Sequence, residues 1–406
     1  MINKVTELKL KVRNKGYSGE VSRKLLKELV SLNGRIGFRG YTKNDIVERS
    51  NGVLTYSPTN IVNNKIVNYK NDTYISQDKY KESPEIMVKN NDILFVKTGS
   101  TLGKSALVRN LTEPATINPQ LIVIKTIHVD SDYLAVYLLT DSIQKQVFQV
   151  KIGGAVPTLT ETEIGKFVVK LPPLPEQPAI GSLFRTLDDL LASYKDNLTN
   201  YQSLKVTMLS KMFPKVGQTV PEIRLDGFEG EWENKILSEV TNITMGQSPK
   251  SENYTDNLNE YILVQGNADI KDKQVVPRLW TTEVTKMAEI GDIILTVRAP
   301  VGDIGKTDYN VVIGRGVAAI KGNDFIFYTL EKMKMTGFWN KFSTGSTFES
   351  ISSNDIKEAI IQIPTLEEQK AIGAYFSNLD NLIVAHQEKI SQLETLKKKL
   401  LQDMFI

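Results

Sequence analysis

The strongest constraint on this chain is that it is written twice. Leu171-Pro-Pro-Leu-Pro-Glu-Gln-Pro-Ala-Ile-Gly181 returns 192 residues later as Ile363-Pro-Thr-Leu-Glu-Glu-Gln-Lys-Ala-Ile-Gly373. The register runs without a gap to Met212-Phe213 and Met404-Phe405, and 16 of the 43 aligned positions are identical. It also reaches upstream, pairing Gly153 with Gly345 and Ile164 with Ile356. Self-similarity at a fixed spacing predicts one structural unit built twice. Fainter echoes extend it. Asn91-Asp-Ile-Leu94 matches Gly291-Asp-Ile-Ile294, and Gly103-Lys104 and Gly305-Lys306 follow them. Leu26-Lys-Glu-Leu29 resembles Leu237-Ser-Glu-Val240, and Val5-Thr-Glu-Leu-Lys-Leu10 resembles Val220-Pro-Glu-Ile-Arg-Leu225. The segment after the first copy thus looks like the start of the chain, a pattern that suits a ring with twofold pseudo-symmetry.

The well-matched tails read as long helices. Apolar positions run Phe184, Leu187, Leu191, Tyr194, Leu198, Tyr201, then Met208 and Met212. The second copy gives Ile372, Phe376, Leu379, Ile383, His386, Ile390, Leu393, Leu400 and Met404. Steps alternating four and three make the 3.5-residue seam of a coiled coil. Lys205 and Lys397 interrupt both seams at the same place, which suits a register device. Thr365-Leu-Glu-Glu368 has the spacing of a capping box, and Pro178 suits a first helical turn. Gly181 and Gly373, early in both helices, each cost roughly 1 kcal/mol relative to Ala, so the reading is close backbone packing there.

Segments 23–170 and 232–362 read as mixed α/β domains. Their strand candidates are Ile93–Lys97, Leu121–Lys125, Tyr261–Gln265, Ile293–Val297 and Val317–Ile320, bounded by Gly, Asn and Asp turns. The fold class is therefore α+β: two mixed α/β domains in pseudo-twofold tandem repeat, separated by two long helices forming an antiparallel coiled coil. The expected limits are 1–170 for the first domain, 171–213 for its helix, 214–362 for the second domain and 363–406 for its helix.

Composition mostly excludes. With no cysteine there are no disulfides, thiolate metal sites or Cys nucleophile. A His-based triad or metal cluster would have to use His128 or His386, the only two histidines. No apolar run approaches a membrane span, and Met1–Leu10 lacks a signal-peptide core, so the default compartment is the cytoplasm. The overall charge of +3 is mild, but residues 1–213 carry 29 Lys+Arg against 20 Asp+Glu, whereas 214–406 carry 21 against 27. A basic first half suits a polyanion, and an acidic second half argues against one uniformly basic groove.

Chemical motifs are few. Gly99-Ser-Thr-Leu-Gly103-Lys104-Ser105 has three residues between its glycines where a phosphate-binding P-loop needs four. A turn whose amides and lysine meet a DNA phosphate, or a plain turn, accounts for it better. Asn118-Pro119-Gln120-Leu121 lacks the second proline and the aromatic of an amino-methyltransferase motif, so it reads as a turn before a strand. Asp188-Asp189 reads as a solvated helix face and His386 as seam packing. No catalytic constellation emerges. The candidates for DNA contact are basic and amide residues in Gly-rich turns: Arg35, Arg39, Lys97 and Lys104 in the first domain, and Gln247, Arg298, Lys306 and Arg315 in the second. Arg pairs with guanine and Gln with adenine in the major groove, although any one of them can instead hold phosphate.

At these residues the chain resembles the specificity subunits of type I restriction-modification systems. The resemblance rests on the paired segments starting at Leu171 and Ile363, on Pro221-Glu-Ile-Arg-Leu-Asp-Gly-Phe-Glu-Gly-Glu-Trp232, on Asp92–Lys104 and on Ser343–Thr347, and it covers essentially the whole chain. Trp232 has no clear counterpart near the first domain. The resemblance implies that each domain is a target-recognition domain for one part of a split double-stranded DNA target, with the helices as spacer. It implies no cofactor in this chain. Two methyltransferase subunits would use S-adenosylmethionine on adenine N6, and two restriction subunits would use ATP and Mg. Residues 176–212, as a helix, span on the order of 55 Å, more than one turn of DNA at roughly 34–36 Å. Alternative readings are a coiled-coil adaptor without specific DNA binding, the specificity module of a standalone methyltransferase, or a lone nuclease or methyltransferase.

Overall fold

The computed structural model describes residues 20–37, 40–150, 157–342 and 350–405. Arg39, Val5–Leu10, Gly153, Gly345 and Ser343–Thr347 lie outside the described residues. The chain divides into two compact units, residues 1–194 with 389–406, and residues 195–388. Each division falls inside a long helix (Gln177–Lys211 or Leu366–Asp403). The reason is that within each unit the start of one helix packs beside the end of the other.

In the first unit, Ser22–Leu25 pairs antiparallel with Val168–Leu171, the strand that leads into the long helix. The central sheet has the order Val30–Gly34, Leu121–Thr126, Ile93–Val96, Ser105–Leu107. Ile93-Leu-Phe-Val96 is buried on both faces because successive side chains of a strand point opposite ways. Ile93 and Phe95 enter a core with Tyr133, Ile180, Phe184 and Phe405. Leu94 and Val96 enter another with Leu54, Tyr56 and Ile117, from a smaller sheet in which Gly52–Tyr56 runs parallel to Ala115–Ile117.

The second unit repeats the plan. Glu233–Ile236 pairs with Ile360–Ile363, and the central sheet starts in the same order: Ile243–Met245, Val317–Ile320, Ile293–Thr296, Ile304–Lys306. Ile293 and Leu295 face Trp232, Phe325 and Phe376, while Ile294 faces Val264 and Ile313. Tyr261–Val264 runs parallel to Val311–Ile313, as its counterpart does in the first unit. Both Asn91 and Gly291 have left-handed backbones (φ 71° and 89°), and the following Asp carboxylate accepts a turn N–H, from Lys89 or Glu289 at 2.8 Å. That shared turn explains the faint echo between the two copies.

The paired glycines seat the helices. A Cβ on Gly181 would stand 2.4 Å from Asp132 Cβ, and one on Gly373 would stand 2.7 Å from Asp324 Cβ. Only a bare backbone lets each helix dock against the helix before it, Ser131–Tyr137 or Asp324–Met335. The last aligned pair of the repeat closes each core. Phe405 lies 5.6–5.8 Å from the rings of Tyr133, Tyr137 and Phe184, and Phe213 lies 5.4–6.0 Å from Phe325, Trp232 and Phe376.

Along the helices, Phe184, Leu187, Leu191, Phe376, Leu379 and Ile390 are buried, and Leu198 and Ile383 are half-buried. Two local readings need correction, those of Asp188 and the capping box, while His386 packs on the seam. Asp188 is not simply a solvated carboxylate, since it pairs with Lys397. His386 is half-buried, edge-on to Tyr201 at 5.0 Å, with Nδ1 2.8 Å from Leu382 O. The capping box is half made: Thr365 accepts the Glu368 N–H at 3.4 Å, but the Glu368 carboxylate turns to Arg224, taking two bonds of 2.8 and 2.7 Å. A buried carboxylate gains more from a bidentate guanidinium than from one backbone donor.

Candidate nucleic-acid interface

In the second unit four turns far apart in sequence gather at one place. Gln247-Ser248 follows one strand, Gln265-Gly266-Asn267 and Arg298-Ala299 follow two others, and Gly314-Arg315-Gly316 precedes a fourth. Glycine makes this possible. A Cβ on Gly246 would sit 2.1 Å from Gly314 O, and one on Gly316 would sit 2.0 Å from Gln265 O. Backbone bonds then lock the turns: Gln247 N donates to Ile313 O (2.8 Å), Gly314 N to Val264 O (2.8 Å), and Arg315 N to Ser248 Oγ (3.0 Å). The Asp269 carboxylate accepts from Gln265 N (2.7 Å) and Gly266 N (3.2 Å), holding the third turn. Arg298 and Arg315 are exposed at the rim of the resulting hollow.

The first unit builds the same turns with other residues. Thr98 bridges to Thr158 as Arg298 bridges to Ser350, again 192 residues on in the second partner. Asn118-Pro119-Gln120 connects Ala115–Ile117 to Leu121–Thr126 where Gly314-Arg315-Gly316 connects the corresponding strands. Asn118 Oδ1 accepts the Gln120 N–H at 3.0 Å, and the Gln120 side chain stands exposed. Gln120 and Gln265 were missed by motif reasoning. Their signal was topological, the turn before one strand and after another, and it needs the strand pairing to be seen.

The other candidates divide by what already holds them. Arg35 is 5% exposed, donates to Ile117 O (3.1 Å) and Thr116 Oγ1 (3.2 Å), and lies over Tyr41 at 5.3 Å. Burial lowers its pKa, with Tyr41 and nearby carboxylates opposing. It ties two strand ends together. Lys97 is held by Glu161 at 2.7 Å, and Lys306 by Asp324 while lying over Phe327. Lys104 stands exposed in its turn, between the left-handed Gly103 (φ 88°) and the strand Ser105–Leu107. Gln247 is exposed.

A second cluster lies on the long helices. Lys205, with its side chain 6% exposed, reaches Asp380 (2.6 and 2.7 Å) and Glu331 (2.9 Å). Lys273 joins the same carboxylates at 3.2 and 2.6 Å, and Tyr328 OH donates to Asp380 at 3.0 Å. Burial pushes the Lys205 ammonium down, with Glu331 opposing, and burial raises Tyr328 beyond the usual phenol range, with Asp380 adding to it. In the first unit the pair is Lys397 with Asp188. Lys205 and Lys397, like Asp188 and Asp380, are repeat mates 192 residues apart, so one clamp is made twice. The hollow of about 750 Å³ beside Lys205 is lined by Lys205, Lys273 and Lys306, each already paired with a carboxylate, and by Asp272, Asp380 and Glu388, a poor match to phosphate. Among the described residues no group of three or more His, Cys, Asp or Glu could hold a metal, and no helix is long and apolar enough to cross a membrane.

Two copies of one α/β head, built on paired helices and carrying different polar chemistry at equivalent turns, define a two-headed recognition subunit. Comparison with known proteins places it. Residues 24–202 and 229–395 match the family model described as type I restriction modification DNA specificity domain. The putative type I restriction enzyme MjaX specificity subunit of Methanocaldococcus jannaschii is 28% identical over 81% of this chain and 80% of that protein. The MjaVIII specificity subunit of the same organism is 24% identical over 78% and 79%. Among solved structures, a chain from work on complex assembly and conformational transition of the type I R-M system has a TM-score of 0.54 at 26% identity, covering 96% of this chain and 98% of that one. The S subunit from M. genitalium shares the fold, with a TM-score of 0.63 at 15% identity, and coverage is 98% of each chain. The chain belongs to the type I restriction-modification specificity family. It is a specificity subunit with two target-recognition domains, itself non-catalytic.

Proposed function

We propose that this subunit reads a split duplex DNA target, one half with each head, and directs partner subunits to it. The observation that carries this is the pairing of one fold with two chemistries. Strand order and helix seats repeat, while Arg298 and Arg315 stand where the other head has Thr98 and Pro119. Shared scaffolds with different turn residues are what independent readers of two sequences require. Two methyltransferase subunits, supplying S-adenosylmethionine for adenine N6 methylation, and two restriction subunits, supplying ATP and Mg chemistry, complete the complex. Its compartment is the cytoplasm, with its DNA. The long helices, with a matched clamp at each end, act as the spacer. Lys104, Gln247, Arg298 and Arg315 are the residues that meet DNA. Arg35, Lys97 and Lys306 serve the heads internally, and no role is assigned to Arg39.

Exchange of heads tests the reading. Replacing residues 23–152 with the corresponding domain of a relative changes one half of the methylated sequence and leaves the other intact, as read by genome-wide mapping of methylated adenine. Change in both halves, or in neither, defeats independent reading. The partner-free chain is also expected to show no methyl transfer and no cleavage. Turnover above background in a labelled-methyl assay would restore the lone-enzyme alternative.

A further inference from the structure

We propose that the hollow between Arg298 and Arg315 reads the major-groove edge of a guanine in the target half contacted by the second head. The proposal rests on the DNA-reading function above and names the base. The second unit contains four arginines. Arg224 is committed to Glu368, and Arg278 to Asp269 and Ala268 O. Arg298 and Arg315 have no ion-pair partner among the described residues, and they come together at one place. The hollow has no acidic lining residue, although the half of the chain from 214 onward is net acidic. Two free guanidiniums therefore make a local positive focus on a surface that does not attract DNA generally.

Shape and donors narrow the ligand. At about 280 Å³ the hollow falls below the usual 300–1,000 Å³ of small-molecule pockets, which suits the edge of a base better than a cofactor. Gln265 Nε2, in its wall, is buried without an acceptor among the described residues. A buried donor is costly unless an acceptor meets it. Guanine offers two acceptors side by side in the major groove, N7 and O6, and the forked guanidinium matches them. Adenine places its amino donor where O6 would be, facing a guanidinium that can only donate. At the positions equivalent to Arg298 and Arg315 the first head carries Thr98 and Pro119, and the described arginine of its neighbouring turn, Arg35, is buried on Ile117 and Thr116, so this preference belongs to one half-site.

The full subunit, assembled with its methyltransferase, is used to select from random duplex DNA. The wild-type target is expected to hold an invariant guanine in the second head's half. Arg298→Ala and Arg315→Ala lose preference for that guanine by roughly 5- to 150-fold, with the other half unchanged. Arg315→Lys keeps the charge but not the fork, and also loses it. Placing 7-deazaguanine at each invariant guanine in turn reproduces the loss at one position and adds nothing further in the arginine variant. Inosine, which keeps N7 and O6, binds as guanine does. Both arginines are exposed, so unchanged melting verifies that the variants fold. If the variants weaken every duplex alike and the selected sequence stays the same, the arginines hold phosphate and the proposal falls while DNA reading stands. If that half holds no invariant guanine, or inosine rather than 7-deazaguanine weakens binding, guanine-edge reading is likewise overturned. If the wild type selects no sequence at all, both this proposal and the function beneath it fail.

Discussion

Adding seven residues to each long helix, midway between its aspartate and its lysine, is expected to lengthen the unspecified gap of the target by about three base pairs. Both recognised half-sequences should stay unchanged. Seven residues extend a helix by roughly 10.5 Å, and base pairs rise about 3.4 Å each. Each helix runs 17 residues from Asp188 to Lys205 or from Asp380 to Lys397. Equal inserts in both therefore keep both clamps, and a whole heptad keeps the 3.5-residue seam. A four-residue insert beside Lys205 in one helix is harsher. It adds roughly 6 Å, about one turn, and lengthens the gap only where the coil absorbs a stutter. Mapping of methylated sites reads the result. An unchanged gap in a folded, active heptad variant means that the helices do not set the spacing.

The second large effect is on stability. Lys205→Met leaves Asp380 and Glu331 sharing Lys273 alone, in a site where the Lys205 side chain is only 6% exposed. Breaking a buried ion pair by removing one partner costs about 3–5 kcal/mol, and the remaining Lys273 puts this case at the lower end. Lys397→Met removes the repeat mate, whose side chain is 20% exposed and whose partner Asp188 is 34% exposed. There the expected loss is about 1 kcal/mol or less. Denaturant unfolding of the two variants gives the ordering. Equal losses, or a greater loss at Lys397, would show that the four-charge cluster does not stabilise the second unit beyond its simpler mate.

Much of the architecture was open to reading before any coordinates. The gapless tail repeat announced two units, the four-three spacing announced the helices, and the strand cores at Ile93, Leu121, Ile293 and Val317 fall on short apolar runs bounded by turns, as strands buried on both faces require. Gly181 and Gly373 could be recognised as close approaches because glycine early in a helix is otherwise a cost. Even the paired lysines marked themselves by breaking an apolar seam.

The interface was less legible. Arg35 and Arg315 look alike in sequence, each in a Gly-rich turn, yet one is 5% exposed and tied to Thr116 and Ile117 while the other faces solvent. Lys97 looks free until Glu161, 64 residues on, is folded beside it. Local periodicity and turn chemistry act over a few residues, so the sequence alone determined the duplication, the helices and the strand cores. Which cations are spent inside the fold and which stay exposed depends on strands that pair across some ninety residues, such as Val30–Gly34 with Leu121–Thr126, where partners lie 88 to 96 residues apart. In the second unit the pairing of Ile243–Met245 with Val317–Ile320 and of Tyr261–Val264 with Val311–Ile313 brings Gly246, Gln265 and Gly316 together, and only the tertiary structure could decide that the turns they carry share one hollow.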